Sequence, residues 1–449
     1  MSSFKKMKKN IPEVNNKKRL PKRKHRPVLL PGMKDVLAQE QTYWEYILEM
    51  ATQTSRAYGY QRLEVPMVEE EQLYVRALGK DCPLITKEEL FSWKTKQEEK
   101  LALRPEFTAG IVRAYIEHGM INLPQPLKFW TNGPLYRNEP SQAGRYRQFN
   151  QIDWEIIGSP HPAIEAELIS LAYHLLTDLG LEVMVKVNSI GMAEDRKEYI
   201  NALKDYLRPH RKNIDALSQE LYTKDPLRIL ASKDVNTKEI LKQAPQLVDF
   251  LSDESRDHFM RTLEYLDAGD IVYHLDPFLV KSFGYYSHTL FELILRKDAE
   301  ELDPMSLVSG GHYHNLVHDL GGTEETTGAG MGFGLERVVL AMKEAGITPG
   351  AVIAPEVFLA QIGETARKHS LQLLEELRAE GIPVISNVSK NGLADQLSLA
   401  NKSTVKITLI LGQKEMIDKT IIVRDMENGS QESVMQTKLM ATLKRYLKK

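Results

Sequence analysis

The chain has 449 residues, 42% of them hydrophobic and 27% charged, with a formal net charge of −2. That is the composition of a globular protein long enough for two or three domains, not of a disordered or fibrous one. A single cysteine, Cys82, excludes an internal disulfide framework and a cysteine-rich zinc site, no apolar run reaches membrane-spanning length, and the N-terminus lacks the apolar core of a secretory signal, so a cytoplasmic protein is expected.

The near-neutral total hides an asymmetry: residues 1–27 carry eleven Lys and Arg against Glu13 alone. Such a tail has too little apolar surface to fold, and it suits either nonspecific contact with phosphates or a solubilising extension. After Pro31-Gly32 a helix is expected with Tyr43, Ile47, Met50 and Thr54 on one face, ending near Gly59, and then a strand from Arg62 to Val68. In LALRPEFTAGIVRAYIEHGM, Leu101 to Met120, the polar Arg104, Glu106 and Thr108 alternate ahead of a helix, so the strand end presents Glu106 at the edge of a cleft.

Phe129 to Gly158 reads as two strands joined by a turn, because Pro140, Ser141, Ala143 and Gly144 interrupt two runs rich in aromatic and β-branched residues. Odd positions of the second strand carry Arg145, Arg147, Phe149, Gln151, Asp153 and Glu155, while Ile152, Trp154 and Ile156 occupy the other face. Arg137 and Glu139 close the first strand. The polar face is either a solvated surface of ion pairs or a seat for a nucleotide and a small zwitterion.

A helix from Ala163 to Leu179 and a strand from Val183 to Asn188 follow, then a helix-rich, highly charged stretch over about 192–269. LVKSFGYYSHTLFEL, Leu279 to Leu293, reads as an aromatic strand with Lys281 near its head. In SGGHYHNL, Ser309 to Leu316, two histidines at i and i+2 invite a metal ion, but no third ligand is apparent and none is expected. Gly328, Gly330, Gly332 and Gly334 share one face of a strand and make a flat floor for a purine, with Glu336 and Arg337 in the first turn of the next helix. Neither a Walker loop nor a Rossmann fingerprint occurs. Residues 346–355 have the composition of a linker. Beyond it, strands Val357 to Ile362, Pro383 to Ser386, Lys406 to Leu411 and Thr420 to Arg424 alternate with helices, which implies a small α/β domain with a mixed sheet.

Several of these segments resemble one family. FWTNGPLYRNEPSQAGRYRQFNQIDWEIIG is similar to motif 2 of class II aminoacyl-tRNA synthetases, in the form found in histidyl-tRNA synthetases. The helix, strand and Pro66 before it resemble motif 1, which lies at the dimer interface, and the alternating glycines with Arg337 resemble motif 3. LALRPEFTAG resembles the segment whose glutamate and threonine hold the α-amino group of histidine, PLRILASK and DESRDHF resemble the helical insertion, and LILGQKEMIDKTIIVRDMENGSQE resembles the anticodon-binding domain. Six departures stand out. Phe107 replaces a glycine and Pro140 an arginine, His312 and His314 replace Arg and Asp, Gly284 replaces the signature aspartate, and Lys281 replaces the signature arginine, keeping its charge but losing the planar fork that grips two acceptors.

The resemblance implies an α+β class II catalytic domain, an antiparallel sheet with flanking helices, over 28–345, with the helical insertion packed over the tRNA acceptor stem, and an α/β anticodon-binding domain over 356–449. It implies a homodimer that joins histidine to tRNA(His) through histidyl-adenylate, using ATP with Mg²⁺. Arg137 would meet the α-phosphate, Arg337 the γ-phosphate, Phe149 adenine and Glu139 the nucleotide. Glu106, Phe107, Thr108, Gln151, Glu155, Lys281, Tyr285, Tyr286 and Tyr313 would surround histidine, and Gln142 would approach the tRNA. The alternative is a histidine-binding regulatory paralogue without ligase activity, like the synthetase-related subunit of ATP phosphoribosyltransferase. Lys281, Phe107 and the 312–314 segment favour it, while the C-terminal domain, Arg137 and Arg337 oppose it.

Overall fold

The computed structural model of the chain describes residues 27–86, 89–140, 144–298, 301, 304–323, 326–349 and 355–447. The basic tail up to Arg26, Gln142 and linker residues 350–354 lie outside them.

Helix α1 (Ala38–Ala57) buries Trp44, Ile47, Ala51 and Ser55. The buried stripe keeps the expected three-and-four spacing but is shifted by one residue, so that Tyr43 and Met50 sit at its margin. Gly59, at φ 78°, turns the chain away. The strand expected over Arg62 to Val68 is broken into β1 (Gln61–Arg62) and β2 (Val68–Glu70). Pro66 lies in the gap, where its missing N–H removes a ladder donor, and the two fragments join different sheets.

Helices α2 (Glu71–Leu78) and α3 (Pro83–Thr86) and strands β3 (Ser92–Lys94) and β4 (Lys100–Leu103) follow, and β2, β4 and β3 form a small sheet. After α4 (Thr108–Glu117), β5 (Leu127–Tyr136) and β6 (Gln148–Ile157) pair antiparallel from Leu127 opposite Ile157 to Tyr136 opposite Gln148. Helix α5 (Ala163–Asp178) and strand β7 (Val183–Ser189) lead into four helices: α6 (Ala193–Leu207), α7 (Ala216–Lys224), α8 (Val235–Leu241) and α9 (Asp253–Ala268). Side-chain oxygens of Asp215, Asp234 and Ser252 cap the last three by accepting a backbone N–H of the first turn. Helices α6, α7 and α8 pack around their own apolar cluster, including Tyr199, Leu203, Leu207 and Ile229, while Phe259, Leu263 and Leu266 of α9 join the core behind the large sheet.

The chain returns through β8 (Tyr273–Leu275), β9 (Tyr286–Leu295), β10 (Ser306–Tyr313), α10 (Leu316–Asp319), β11 (Gly328–Gly334) and α11 (Leu335–Glu344). The large sheet has the order β1-β5-β6-β11-β10-β9-β7-β8. Its six central strands are antiparallel as expected, but β1 and β8 pair in parallel at the edges, so the sheet is mixed. Period two decides which face is which: Ile152, Trp154 and Ile156 of β6 and Ala329, Met331 and Phe333 of β11 pack with α1, α5 and α11 in one core. Trp154 Nε1 donates to Ser55 Oγ at 2.8 Å, which ties α1 to the sheet.

The C-terminal unit comprises β12 (Val357–Gln361), α12 (Glu364–Ala379), β13 (Val384–Ser386), α13 (Leu393–Lys402), β14 (Ile407–Leu411), α14 (Gln413–Asp418), β15 (Thr420–Asp425), β16 (Gln431–Met435) and α15 (Leu439–Leu447). Its sheet, β13-β12-β14-β15-β16, is parallel across the first three strands and antiparallel across the last, the mixed sheet expected. Among the described residues no helix is long and apolar enough to cross a membrane.

Candidate functional site

The face of β6 opposite the core, with parts of β9, β10 and β11, opens into a cavity of about 510 Å³. The glycines of β11 leave space for their neighbours' side chains: a Cβ at Gly330 would collide with the Glu155 carboxylate, and one at Gly328 would come within 2.6 Å of the Tyr313 ring. Gly330, Gly332 and Gly334 line the cavity.

One end is acidic and buried. Glu106 and Asp153 are 4% exposed and Glu155 is fully buried. Glu106 accepts the Ala109 N–H at 3.1 Å, Thr108 Oγ1 donates to Glu155 Oε1 at 2.5 Å, and the Tyr313 hydroxyl donates to Glu155 Oε2 at 2.9 Å. Asp153 Oδ1 is buried without a hydrogen-bond partner. Burial raises the Glu106 carboxyl to about 7 and the Glu155 carboxyl to about 8 against the pull of these hydrogen bonds, and it raises Asp153 well above the usual carboxylate range, helped by the charges of Glu155 and Glu106. Tyr285 and Tyr286, with ring centroids 4.6 Å apart, wall this end, and the Tyr285 ring meets the Tyr313 ring edge-on at 6.1 Å.

The other end is cationic, lined by Arg137, Arg145, Lys281 and Arg337. The Arg137 guanidinium lies 5.0 Å from the Phe149 ring and 5.4 Å from the Phe283 ring, and its Nε donates to the Pro105 carbonyl at 2.9 Å. Arg337 donates to the Gly144 and Ser306 carbonyls at 3.2 and 2.7 Å, and burial, with Arg145 and Arg137 close by, makes it easier to deprotonate than a free guanidinium. Glu336, beside it, accepts the backbone N–H of Asn150 at 2.9 Å and fixes α11 against β6.

Glu106, Thr108, Arg137, Glu139, Phe149, Gln151, Lys281, Tyr285, Tyr286 and Arg337 therefore come together around one cavity. Glu155 and Tyr313 sit just beneath it, joined to it through Thr108. Phe107, expected against the amino acid, is not on the cavity wall: its ring is fully buried in the core, 4.4 Å from the Arg104 guanidinium. Lys281 is not an unpaired cation, because its Nζ forms an ion pair with Glu292. Sequence reading assigned no role to Glu292, a lone acid within the otherwise apolar FELIL of β9, and none to Phe283. Nor is the pair His312 and His314 isolated: on the core side of the sheet His258 and His288 join them, so the reason for expecting no metal ion does not hold.

A family model described as histidyl-tRNA synthetase matches residues 32–338, and one described as anticodon binding domain matches residues 356–446. A histidine-tRNA ligase of Synechococcus sp. is 38% identical, the alignment covering 92% of this chain and 97% of that protein. One of Thermosynechococcus vestitus is 36% identical over 91% of this chain and 94% of that protein. The crystal structure of apo S. aureus histidyl-tRNA synthetase superposes with a TM-score of 0.76 at 30% identity, covering 93% of this chain and 99% of that one. The likeness spans both the sheet that carries the bipolar cavity and the separate C-terminal unit, and on that basis the chain belongs to the histidyl-tRNA synthetase family.

Proposed function

We propose that this protein joins histidine to tRNA(His) in two steps. The histidine carboxylate attacks the α-phosphorus of ATP, forming histidyl-adenylate and releasing pyrophosphate. The 3′-terminal ribose hydroxyl of the tRNA then attacks the activated carbonyl, and AMP leaves. The observation that carries the proposal is the cavity's polarity, buried carboxyls facing a cluster of four cations across the glycine-floored strand. Glu106 and Thr108 take the α-ammonium group, Gln151, Tyr285 and Tyr286 take the imidazole with Glu155 supporting Thr108 from beneath, and the purine lies over the β11 glycines with Phe149 against it. Arg137 and Arg337 meet the α- and γ-phosphates. Such a reaction relies on positioning and on charges aimed at the developing negative charge.

The residues fit ATP accompanied by Mg²⁺. Glu139 borders the cavity and bears on the charge of Arg337, so its carboxylate is the oxygen donor placed to hold the ion, which would neutralise part of the phosphate charge. A cytoplasmic homodimer with α1 and the segment around Pro66 at its interface completes the proposal, and Gln142 reaches the acceptor end. Histidine-dependent pyrophosphate exchange, followed by aminoacylation of a tRNA(His) transcript, is the test. Binding of histidine without any exchange would replace the ligase by a regulatory protein.

A further inference from the structure

Behind the sheet, on the face away from the cavity, four histidines and one glutamate meet. His288 comes from β9, His312 and His314 from β10 and the residues just after it, His258 from α9 and Glu165 from α5. The His258 and His288 rings stack with centroids 4.4 Å apart, and His312 stands edge-on to both at 5.2 Å. One ligand atom from each of His288, His312 and His314 can be chosen so that all three lie within 4.8 Å of one another.

Hydrogen bonding within the cluster is incomplete. Glu165 Oε1 lies 2.6 Å from His258 Nε2 and 3.0 Å from His312 Nδ1, the second contact without the alignment of a hydrogen bond. His288 Nδ1 and Glu165 Oε2 remain buried with no hydrogen-bond partner, in residues 5% and 0% exposed. Two such atoms in one cluster need a physical reason, since folded proteins leave few buried polar groups unsatisfied. The backbone adds a second sign: His288 sits at φ 45° in a bulge where Ser287 and Leu290 pair with consecutive residues of β10.

We infer that His288, His312 and His314 bind one zinc-class divalent ion, with Glu165 bracing His312 from behind and the fourth position left to solvent beside half-buried His314. Zn–N distances of about 2.0–2.1 Å in a tetrahedron place the nitrogens roughly 3.4 Å apart, so nitrogens within 4.8 Å of one another need close by at most about 1.4 Å. Nitrogen donors with a carboxylate behind them suit Zn²⁺ better than Mg²⁺ or Ca²⁺, which prefer oxygen. The ion holds β9 and β10 in register at the bulge, one residue from Tyr313 and two from Tyr286, and its brace, Glu165, reaches the insertion through His258. It is a positioning ion that touches no substrate.

The test uses the untagged full chain, stripped with a chelator and titrated with Co²⁺ as a spectroscopic stand-in. One Co²⁺ per chain is expected, with the intense visible bands of a tetrahedral site, displaced by one equivalent of Zn²⁺ and accompanied by a rise in melting temperature. Glu165→Gln should weaken binding by about 10–100-fold, as removal of a supporting partner does. His312→Asn and His314→Ala should abolish the tetrahedral bands, and exposed His118→Asn should leave them intact. His314→Ala keeps the test decisive if His312→Asn fails to fold. Absence of stoichiometric binding, or a Co²⁺ spectrum unaffected by His314→Ala, overturns the site.

Discussion

Glu155→Gln keeps the shape of a fully buried side chain and removes its ionisation. In the folded protein the carboxyl is raised from 4.5 to about 8, chiefly by burial. The unfolded chain therefore releases this proton near pH 4.5 while the folded chain keeps it to about pH 8, and between those values the unfolded state binds fewer protons, so stability falls as pH rises. At roughly 1.4 kcal/mol per pH unit the loss is on the order of 5 kcal/mol, absent below pH 4.5 and complete above pH 8. The glutamine carbonyl can accept from one of the Thr108 and Tyr313 hydroxyls and its NH2 can donate to the other, as the protonated carboxyl does, so the variant should match the wild type at pH 4.5, pull ahead through neutrality and hold a constant lead of a few kcal/mol above pH 8. Urea unfolding followed by tryptophan fluorescence measures this in the right unit, because Trp44, Trp93, Trp130 and Trp154 all precede the C-terminal domain. Because Glu106 and Asp153 are present in both proteins, the difference between the curves belongs mainly to Glu155. A difference that stays flat from pH 4.5 to 9 would refute the burial argument.

Lys281→Ala should lower pyrophosphate exchange about a hundredfold, the scale of a lost charge-stabilising donor, and adding Glu292→Gln should recover part of it by removing the stranded carboxylate; unchanged exchange in the single variant would show that the needed charge comes from elsewhere. Arg137→Lys keeps the charge but not the plane between Phe149 and Phe283, so KM for ATP should rise by roughly tenfold, and a wild-type KM would mean that the sandwich is immaterial. Gly330→Ala should cost about 1–3 kcal/mol in thermal unfolding and weaken histidine binding, and Glu155→Ala in the same chain should restore the stability; additive losses would contradict a direct collision.

The polar face of β6 and the glycine face of β11 were legible because a strand's period of two is fixed by geometry, whatever surrounds it. The strand at 62–68 was misjudged because β-branched and apolar residues suggested continuity while Pro66 interrupted the ladder. Strand β16, QESVM, escaped notice because an edge strand with mostly exposed residues carries little hydrophobic signal. Phe107 and Lys281 stood out in the sequence, but their surroundings depend on contacts across the fold: Arg104 covers the phenyl ring, and Glu292, eleven residues further on, reaches back to the lysine. The histidine cluster was hidden for the same reason, since His258 lies in the insertion and His288 in a bulge, neither near 312 in sequence.

The sheet order also sets a timetable for synthesis. Strand β6 needs β11 on its free edge, with Ile157 opposite Gly328 and Gln151 opposite Gly334, yet β11 is encoded about 170 residues later. At ribosomal rates of about 5–20 residues per second, the β5–β6 hairpin waits roughly ten to thirty seconds with an unpaired edge. Meanwhile the insertion, with its own core, can collapse beside the exit tunnel. A nascent chain stalled between α9 and β10 thus presents an open strand flanked by a folded helical lobe, a species suited to capture by chaperones and prone to associate with its like, whereas a stall in the C-terminal domain leaves the large sheet already closed.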